Sequence, residues 1–326
     1  MSVLHQLQHQ PQSQQQHRRR RSLSLLLAAT FALPFAIQAE DKKPDGAQVP
    51  SIAELFDEDH VLMFYPSAPG AQFRLGKRNP NSTRGFVIEK KTKATAGKDG
   101  ALEFWNLPSH ALSYASGGEG WSSRLHIYAS GGQQKFNWKN QRGFLSHPAE
   151  LKNQEMTIFM RVHQILDPAR AQISLKIRGG AHSDKNPDAA SCVMLTLSPE
   201  GHGSVTRFGK ELRHPRYDYV TLKPEFTAAL QENVWIGMKL ISWNDPHDTQ
   251  RVIHRLYLDT DPFDLGTGLP KNNWRLFSEY IDVEGKRTGQ YSKLVNWGGW
   301  ETTFRTDGFH DVDFAYPSVR EIVVPQ

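Results

Sequence analysis

Basic and aromatic side chains alternate in three segments in the middle of the 326-residue chain. They are Phe159, Arg161, His163, Lys176, Arg178, Trp235, Lys239 and Trp243. Guanidinium and ammonium groups pair with carboxylates or sulfates, and aromatic rings stack on the faces of sugars. The combination therefore favours binding of an acidic polysaccharide. Lysine and arginine also occupy outward strand positions simply for solubility, and this alternative stays open.

The same side chains have the chemistry for β-elimination at a uronate. A positive charge must neutralise the carboxylate, so that the proton at C5 becomes acidic enough for a base to remove it. Arg178, Lys239 or Arg161 could supply that charge. His182 or His163 could be the base, because histidine titrates near neutral pH. A lone histidine is, however, more often a surface or hydrogen-bonded residue than a catalytic one.

An acid must also protonate the leaving oxygen, and a tyrosine hydroxyl is suited to this. Tyr257 and Tyr291 are candidates, and the sequence selects neither.

The segments that carry these side chains have a period of two, as strands with one buried face do. Apolar residues occupy one face of 155–166, 171–178 and 234–243, and the basic or aromatic residues occupy the other. Further predicted strands are 85–90, 101–107, 191–197, 252–259 and 312–324, the last interrupted by Pro317, and only 51–56 and 224–231 are predicted as helices. Many strands with glycine-rich turns and almost no helix predict an all-β fold, a jelly roll of two packed antiparallel sheets.

The first 39 residues have the pattern of a secretory signal peptide. Four arginines at 18–21 precede an apolar run from Leu23 to Ile37, and a small residue, Ala39, stands at the expected cleavage point. The run falls short of the roughly 20 residues of a spanning helix. We therefore predict a signal peptide over 1–39, a linker over 40–51 and a single β-domain over 52–326. The protein would be secreted or periplasmic, with no membrane attachment after cleavage.

Charge and cysteine content argue against several kinds of binding site and cross-link. The formal net charge is +5, but without the four leader arginines 35 basic residues face 34 acidic ones. The predicted mature chain is nearly neutral, so nucleic-acid binding through a global positive field loses its support. A single cysteine, Cys192, excludes an intramolecular disulfide and multi-cysteine metal sites. No protein partner is evident.

Three segments carry a family resemblance: 177–182, 235–244 and 311–322. They resemble a family of exported microbial proteins, which is in turn similar to the alginate lyase class with a concanavalin A-like jelly-roll fold. The resemblance spans Leu102 to Ile322, and it implies three motifs on neighbouring strands of one groove.

This sequence departs from each lyase motif. The strand expected to be Arg-x-Glu-Leu-Arg corresponds to 101–105, where both arginines are missing. The Gln-x-His strand corresponds to the segment that ends in Arg178 and His182, with the histidine beyond a Gly-Gly turn. The third motif places Lys239 on its lysine and Trp243 on its second tyrosine. That tyrosine handles the proton in the lyase class, and an indole N–H cannot do so.

Other motifs are weaker. The acidic loop from Asp259 to Asp264 could hold Ca²⁺ through oxygen ligands, although a turn-forming aspartate cluster accounts for it as well. The paired-carboxylate strand of jelly-roll glycosidases is missing, since 279–284 has the wrong spacing. No phosphate loop, zinc motif or nucleophile elbow occurs.

The sequence thus predicts an exported protein that acts on an acidic polysaccharide, most directly as a lyase. The predicted catalytic residues are Arg178, His182 and Lys239, and the predicted binding residues are Arg161, His163, Lys176, Trp235 and Trp243. No resident metal or other cofactor is expected, with calcium optional. A non-catalytic carbohydrate-binding protein on the same fold is the alternative, favoured by Trp243, whereas the Arg178/His182 pairing favours catalysis. A structural cell-envelope protein is a third possibility.

Overall fold

Two antiparallel sheets of eight strands each organise the described part of the chain in this computed structural model. The structure describes residues 55–114, 118–128, 151–180, 192–201 and 204–324. The predicted signal peptide and linker, and His182, lie outside the described residues. All described residues belong to one unit, which runs from Pro50 to Gln326.

The strands are, in chain order, β1 (Ser67–Arg74), β2 (Phe86–Ile88), β3 (Thr95–Asp99), β4 (Leu102–Pro108), β5 (His110–Ser113), β6 (Glu119–Tyr128), β7 (Gln154–Val162), β8 (Gln172–Gly179), β9 (Cys192–Leu197), β10 (Thr206–Arg213), β11 (Arg216–Thr221), β12 (Trp235–Asn244), β13 (Arg251–Asp259), β14 (Phe263–Asp264), β15 (Leu269–Pro270), β16 (Arg275–Val283), β17 (Glu301–Asp307) and β18 (Asp311–Ile322). One 3₁₀ turn spans Glu89–Lys91.

Sheet 1 has the strand order β16-β13-β12-β7-β18-β4-β3, with β1 also paired to β18. Sheet 2 has the order β11-β10-β9-β8-β17-β6-β2, with β5 also paired to β6. Strands β14 and β15 form a separate short ribbon. Each large sheet joins some strands that are distant in sequence, such as β7 with β18 and β8 with β17, as in a jelly roll. The predicted fold class, a jelly roll of two packed antiparallel sheets, is confirmed.

The period-two patterns account for the core between the sheets. In β7, Met156, Ile158 and Met160 face inward, and β8 contributes Leu175 and Ile177 from the other sheet. All five belong to one buried cluster. Each such side chain stabilises the fold by about 1.5–3 kcal/mol relative to an exposed position. The alternate residues of the same strands therefore point away from the core, to the two outer faces.

Two local predictions were wrong. Residues 224–231 form no helix, because the backbone N–H of Glu225 donates to Phe277 O and the Phe226 ring packs against that of Phe277. Pro317 does not interrupt the last strand: β18 passes through it with a register shift, so the missing N–H falls where the pairing is already irregular. Within the described ranges, no helix has the length and apolar character needed to span a membrane.

Candidate functional site on the outer face of sheet 2

Lys239 lies on the outer face of sheet 1 and is fully buried. Its ammonium group donates to Glu155 Oε1 at 2.5 Å, Thr157 Oγ1 at 2.7 Å and the carbonyl oxygen of Leu62 at 2.9 Å. Burial lowers the pKa of Lys239 to about 8, with the Glu155 carboxylate acting in the opposite direction. All three ammonium protons thus have partners within the protein, and Lys239 forms a structural ion pair with Glu155.

A segment formed by residues 55–66, here called the strap, covers this part of sheet 1. The N–H of Phe64 donates to Glu155 Oε2 at 3.0 Å, and the Phe64 ring packs edge-on against Tyr257 at 4.7 Å. Tyr65 packs against Trp243 at 5.9 Å. Trp243 and Tyr257 are therefore held beneath the strap. Tyr291, the other tyrosine proposed as acid, donates to the carbonyl oxygen of Arg216.

Arg161, His163 and Trp235 form a second structural cluster on sheet 1. The Arg161 guanidinium lies 4.9 Å from the centre of the Trp235 ring and bridges to Asp313 at 2.7 Å and Asp99 at 2.8 Å. His163 Nε2 lies 3.0 Å from the same Asp313 carboxylate. The cations predicted to meet a polysaccharide here are paired with the carboxylates of their own sheet.

Arg178 does not point to either outer face. Its backbone has a φ of 56°, at a register shift between β8 and β17, and its side chain is fully buried. Its Nη1 donates to the carbonyl oxygen of Val295, and its charge acts on His254, which packs against the core residue Phe208. The left-handed backbone breaks the alternation from which an outward orientation was predicted. Arg178 and Lys239 therefore do not share a groove, contrary to the sequence prediction.

Among the predicted site residues that the structure describes, Lys176 alone lies on the outer face of sheet 2. Strand register aligns it in a row that runs across six strands. The row consists of His126, Thr303, Lys176, Met194, Gly209 and Tyr219. A parallel row contains Arg124, Arg305, Ser174, Thr196, Arg207 and Thr221. Since adjacent strands lie about 4.8 Å apart, the rows extend over roughly 24 Å.

Lys176 and Tyr217 form the polar centre of this face. Lys176 Nζ donates to the Tyr217 hydroxyl oxygen at 2.9 Å and lies 3.9 Å from Glu211 Oε2. Burial raises the pKa of Tyr217 well above its usual value, and the negative charge of Glu211 acts in the same direction. Tyr217 is thus a neutral phenol at physiological pH. The Tyr217 hydroxyl also makes a hydrogen bond with the Glu211 carboxylate, so its proton points to Glu211 and must turn from that carboxylate to reach a substrate.

His126 and Glu301 form a buried pair on the same face. His126 Nδ1 lies 2.7 Å from Glu301 Oε1 and 3.2 Å from Thr303 Oγ1. The imidazole also stacks on Tyr128, with ring centres 5.8 Å apart and planes at 9°. A carboxylate bonded to one ring nitrogen fixes the tautomer and leaves the other nitrogen, Nε2, as the base. The pair has the geometry of an oriented general base.

Two arginines extend the site. Burial acts to lower the pKa of Arg305, but Asp307, bridged at 2.7 Å, and neighbouring groups outweigh it, so the pKa is raised and Arg305 stays cationic. The Arg207 guanidinium lies 4.6 Å from the centre of the Tyr219 ring. The Tyr219 ring lies over Gly209, where a Cβ atom would come within 2.8 Å of it. Glycine at this position thus permits a flat aromatic surface next to the Lys176–Tyr217 pair.

The sequence prediction missed β6, β10, β11 and β17, which carry most of this face. Their signal was present: Arg124, His126 and Tyr128 alternate with Leu125 and Ile127, as a half-buried strand requires. Polar residues at several inward positions, such as Ser123 and Thr302, weakened it.

The acidic loop from Asp259 to Asp264 is held by its own carboxylates. Asp259 accepts the N–H groups of Asp261 at 3.1 Å and Asn273 at 2.8 Å, and Asp264 accepts that of Gly266 at 2.8 Å. This is the geometry of turn-forming aspartates. Over the described residues, no group of three or more histidine, cysteine or acidic side chains is arranged to hold a metal ion.

Comparisons with known proteins concern the fold. No protein-family model matches the chain, and no curated protein matches it in sequence. Among solved structures, it is similar to an endo-β-1,4-glucuronan lyase from Trichoderma reesei, with 11% identity over 76% of this chain and 94% of that one and a TM-score of 0.42. A PL-14 alginate lyase from Aplysia kurodai has 8% identity over 73% and 90%, with a TM-score of 0.38. The lectin I-B4 from Griffonia simplicifolia has 8% identity over 76% and 98%, with a TM-score of 0.30. The roles of individual residues rest on the geometry above.

Proposed function

We propose that the protein binds an acidic polysaccharide across the outer face of sheet 2 and cleaves it by β-elimination. The contact between Lys176 and Tyr217 carries this proposal, because it places a cation and a protonated phenol side by side. His126 stands in the same cross-strand row, two strands from Lys176, or about 10 Å at the backbone. A charge, an acid and a base are therefore carried by one face of sheet 2.

Each group has one role in the reaction. Lys176 neutralises the uronate carboxylate and stabilises the charge that develops as C5 loses its proton. Nε2 of His126 takes that proton, while Glu301 holds the imidazole through Nδ1. The electron pair of the C5–H bond forms the C4–C5 double bond, and the bond from C4 to the glycosidic oxygen breaks. Tyr217 gives its proton to the departing oxygen.

A non-catalytic carbohydrate-binding role is the second candidate. Tyr217 and Tyr219 lie nearly parallel, with ring centres 6.4 Å apart and planes at 15°, and Arg207 covers Tyr219. Two parallel rings with a cation form a platform on which a uronate can stack without any proton transfer. Both candidates place the polysaccharide on the same face.

We also propose that the protein is exported, because residues 1–39 have the pattern of a secretory signal peptide. An acidic polysaccharide outside the cytoplasm is the substrate that such a protein would meet.

Turnover on a panel of polymers tests the proposal. The protein from Glu40 onward is incubated with alginate, glucuronan, pectate and glycosaminoglycans while the ultraviolet absorbance of the unsaturated uronate is followed. We expect a rise on at least one polymer. Retention on gels that contain these polymers, without any rise, would support the binding role, and neither retention nor turnover would overturn both candidates.

A further inference from the structure

A separate pocket of about 390 Å³ lies on the opposite side of the sandwich, between the strap and the outer face of sheet 1. Its floor consists of two cross-strand pairs, Gln72 with Arg320 and Arg74 with Ser318, on β1 and β18. The strap supplies one wall, with Phe56, Asp57, Glu58 and Met63 among its lining residues. The volume is in the lower part of the range of small-molecule sites, about 300–1,000 Å³.

The register of β1 against β18 explains why this space exists. Ser67 pairs with Ile322 and Gln72 with Arg320, so five steps along β1 correspond to two along β18. The surplus residues bulge out of the ladder, and a bulge of this kind re-aims the side chains beside it. The polar floor therefore stays clear of the apolar packing that fills the rest of this face.

Several donors in the pocket have no hydrogen-bond partner among the described residues. They are the hydroxyl groups of Ser67 and Ser318 and the Nε group of Arg320. Ser318 and Arg320 are each only 4% exposed. Buried polar groups in proteins are almost always paired, because leaving them unpaired costs free energy. The residues that carry these buried donors line the pocket, and a polar ligand supplies the missing partners once the side chains turn toward it.

The charges of the pocket are already balanced. Arg74 bridges to Glu58 and, at 2.6 Å, to Asp59. Arg320 lies 3.5 Å from Glu155 and 3.9 Å from Asp57. An anion would have to compete with these carboxylates, so a negatively charged ligand is disfavoured. The carboxylates themselves can accept hydrogen bonds from a ligand.

Apolar surface completes the recognition pattern. Phe56 is 45% exposed at the rim of the pocket. An aromatic ring beside mixed donors and acceptors matches a sugar, which has an apolar face of C–H groups and hydroxyls that both donate and accept.

We infer that this pocket binds one neutral sugar unit. Its hydroxyls accept from Ser318 and Arg320 and donate to Asp57, while one face of the sugar stacks on Phe56. The site is independent of the proposed catalytic face, since it lies on the other sheet.

Titration of the full chain with neutral sugars tests this inference. Glucose, galactose, mannose and cellobiose are added, with glucuronate as the charged probe, and binding is followed by saturation-transfer NMR and calorimetry. At least one neutral sugar should bind more tightly than glucuronate. Phe56→Ala and Ser318→Ala should each weaken it about threefold to tenfold, the effect of one lost contact. Leu265→Ala, which removes an equally exposed apolar side chain elsewhere, should leave binding unchanged.

Two results would overturn the inference: no neutral sugar binds, whether or not glucuronate does, or Leu265→Ala weakens binding as much as the two pocket variants do. Should the two alanine variants be misfolded by circular dichroism, Gln72→Trp provides the decisive test, because the exposed Gln72 lies on the floor and a large ring there should abolish binding. Turnover of polyuronates, measured on the same variants, should not change, which separates failure of this site from failure of the proposed function.

Discussion

Lys176 donates a hydrogen bond of 2.9 Å to the hydroxyl oxygen of Tyr217, although the two residues lie on β8 and β11 with two strands between them. The contact joins the row that contains His126 to the stacked tyrosines at the edge of sheet 2. A lysine that donates to a phenol cannot also act as its base. Burial and the negative charge of Glu211 keep the phenol protonated, and Lys176 places a positive charge beside it.

Replacement of Lys176 tests its electrostatic role. Lys176→Met should lower kcat/KM on the preferred polyuronate by about 10²–10³-fold, the cost of removing one preorganised charge. Lys176→Arg should restore part of the activity, because a guanidinium also pairs with carboxylates. Steady-state kinetics give the comparison. If Lys176→Met turned over polymer as well as the unaltered protein, the charge at this position would have no catalytic role.

Replacement of Lys239 should lower the stability of the fold and leave polysaccharide binding unchanged. Lys239→Met leaves the buried carboxylate of Glu155 without its main partner, at a cost of about 3–5 kcal/mol in the free energy of unfolding. The double variant Lys239→Met/Glu155→Leu should recover part of that loss, since no uncompensated charge remains. Urea unfolding measures the stability, and retention on polyuronate gels should be unchanged in any folded variant. If a folded Lys239 variant lost its retention on polyuronate gels, Lys239 would be shown to take part in polysaccharide binding.

His254 should make the stability depend on pH. Burial, followed by the charges of Arg178 and Lys210, holds the pKa of His254 well below 6.5. Below about pH 6.5 the unfolded chain therefore binds a proton that the folded protein does not, and stability falls as the pH is lowered. Burial raises the pKa of the nearby Asp282 carboxyl, which acts in the opposite direction in more acidic solution.

The variant His254→Phe isolates the histidine contribution. As the pH falls from 7 to 5, the unaltered protein should lose more unfolding free energy than the variant does. Denaturant titrations at fixed pH values measure it. A difference that stays constant over this interval would show that His254 takes up its proton as readily in the folded protein as in the unfolded chain.

Gly209 tests the aromatic platform. Gly209→Ala places a Cβ atom within 2.8 Å of the Tyr219 ring, which must move away from its position over the sheet. We expect polyuronate affinity to fall several-fold, approaching that of Tyr219→Ala. Affinity electrophoresis compares the two. Full affinity in Gly209→Ala together with a loss in Tyr219→Ala would show that the ring binds from another position.

The sequence predicts the fold well because period two is a local signal. The alternation in β7, β8 and β12 identified which residues face the core. It could not show to which sheet an outward residue belongs, so Lys176 and Lys239 were assigned to one groove although they lie on opposite outer faces. It also could not anticipate the strap, which buries Lys239 through contacts nearly 180 positions away. The positive φ of Arg178 reversed an orientation that the alternation alone would have given.

The central claim is that Tyr217 donates the proton, and a pair of matched variants tests it most directly. Tyr217→Phe and Tyr257→Phe each remove one hydroxyl group, the first from the outer face of sheet 2 and the second from beneath the strap. Turnover by absorbance and retention on polymer gels are measured for both. We predict that Tyr217→Phe lowers kcat by about 10²–10⁴-fold, the usual contribution of general acid catalysis, while it keeps its retention, and that Tyr257→Phe keeps both. Undiminished turnover in Tyr217→Phe, or an equal loss in Tyr257→Phe, would contradict the account.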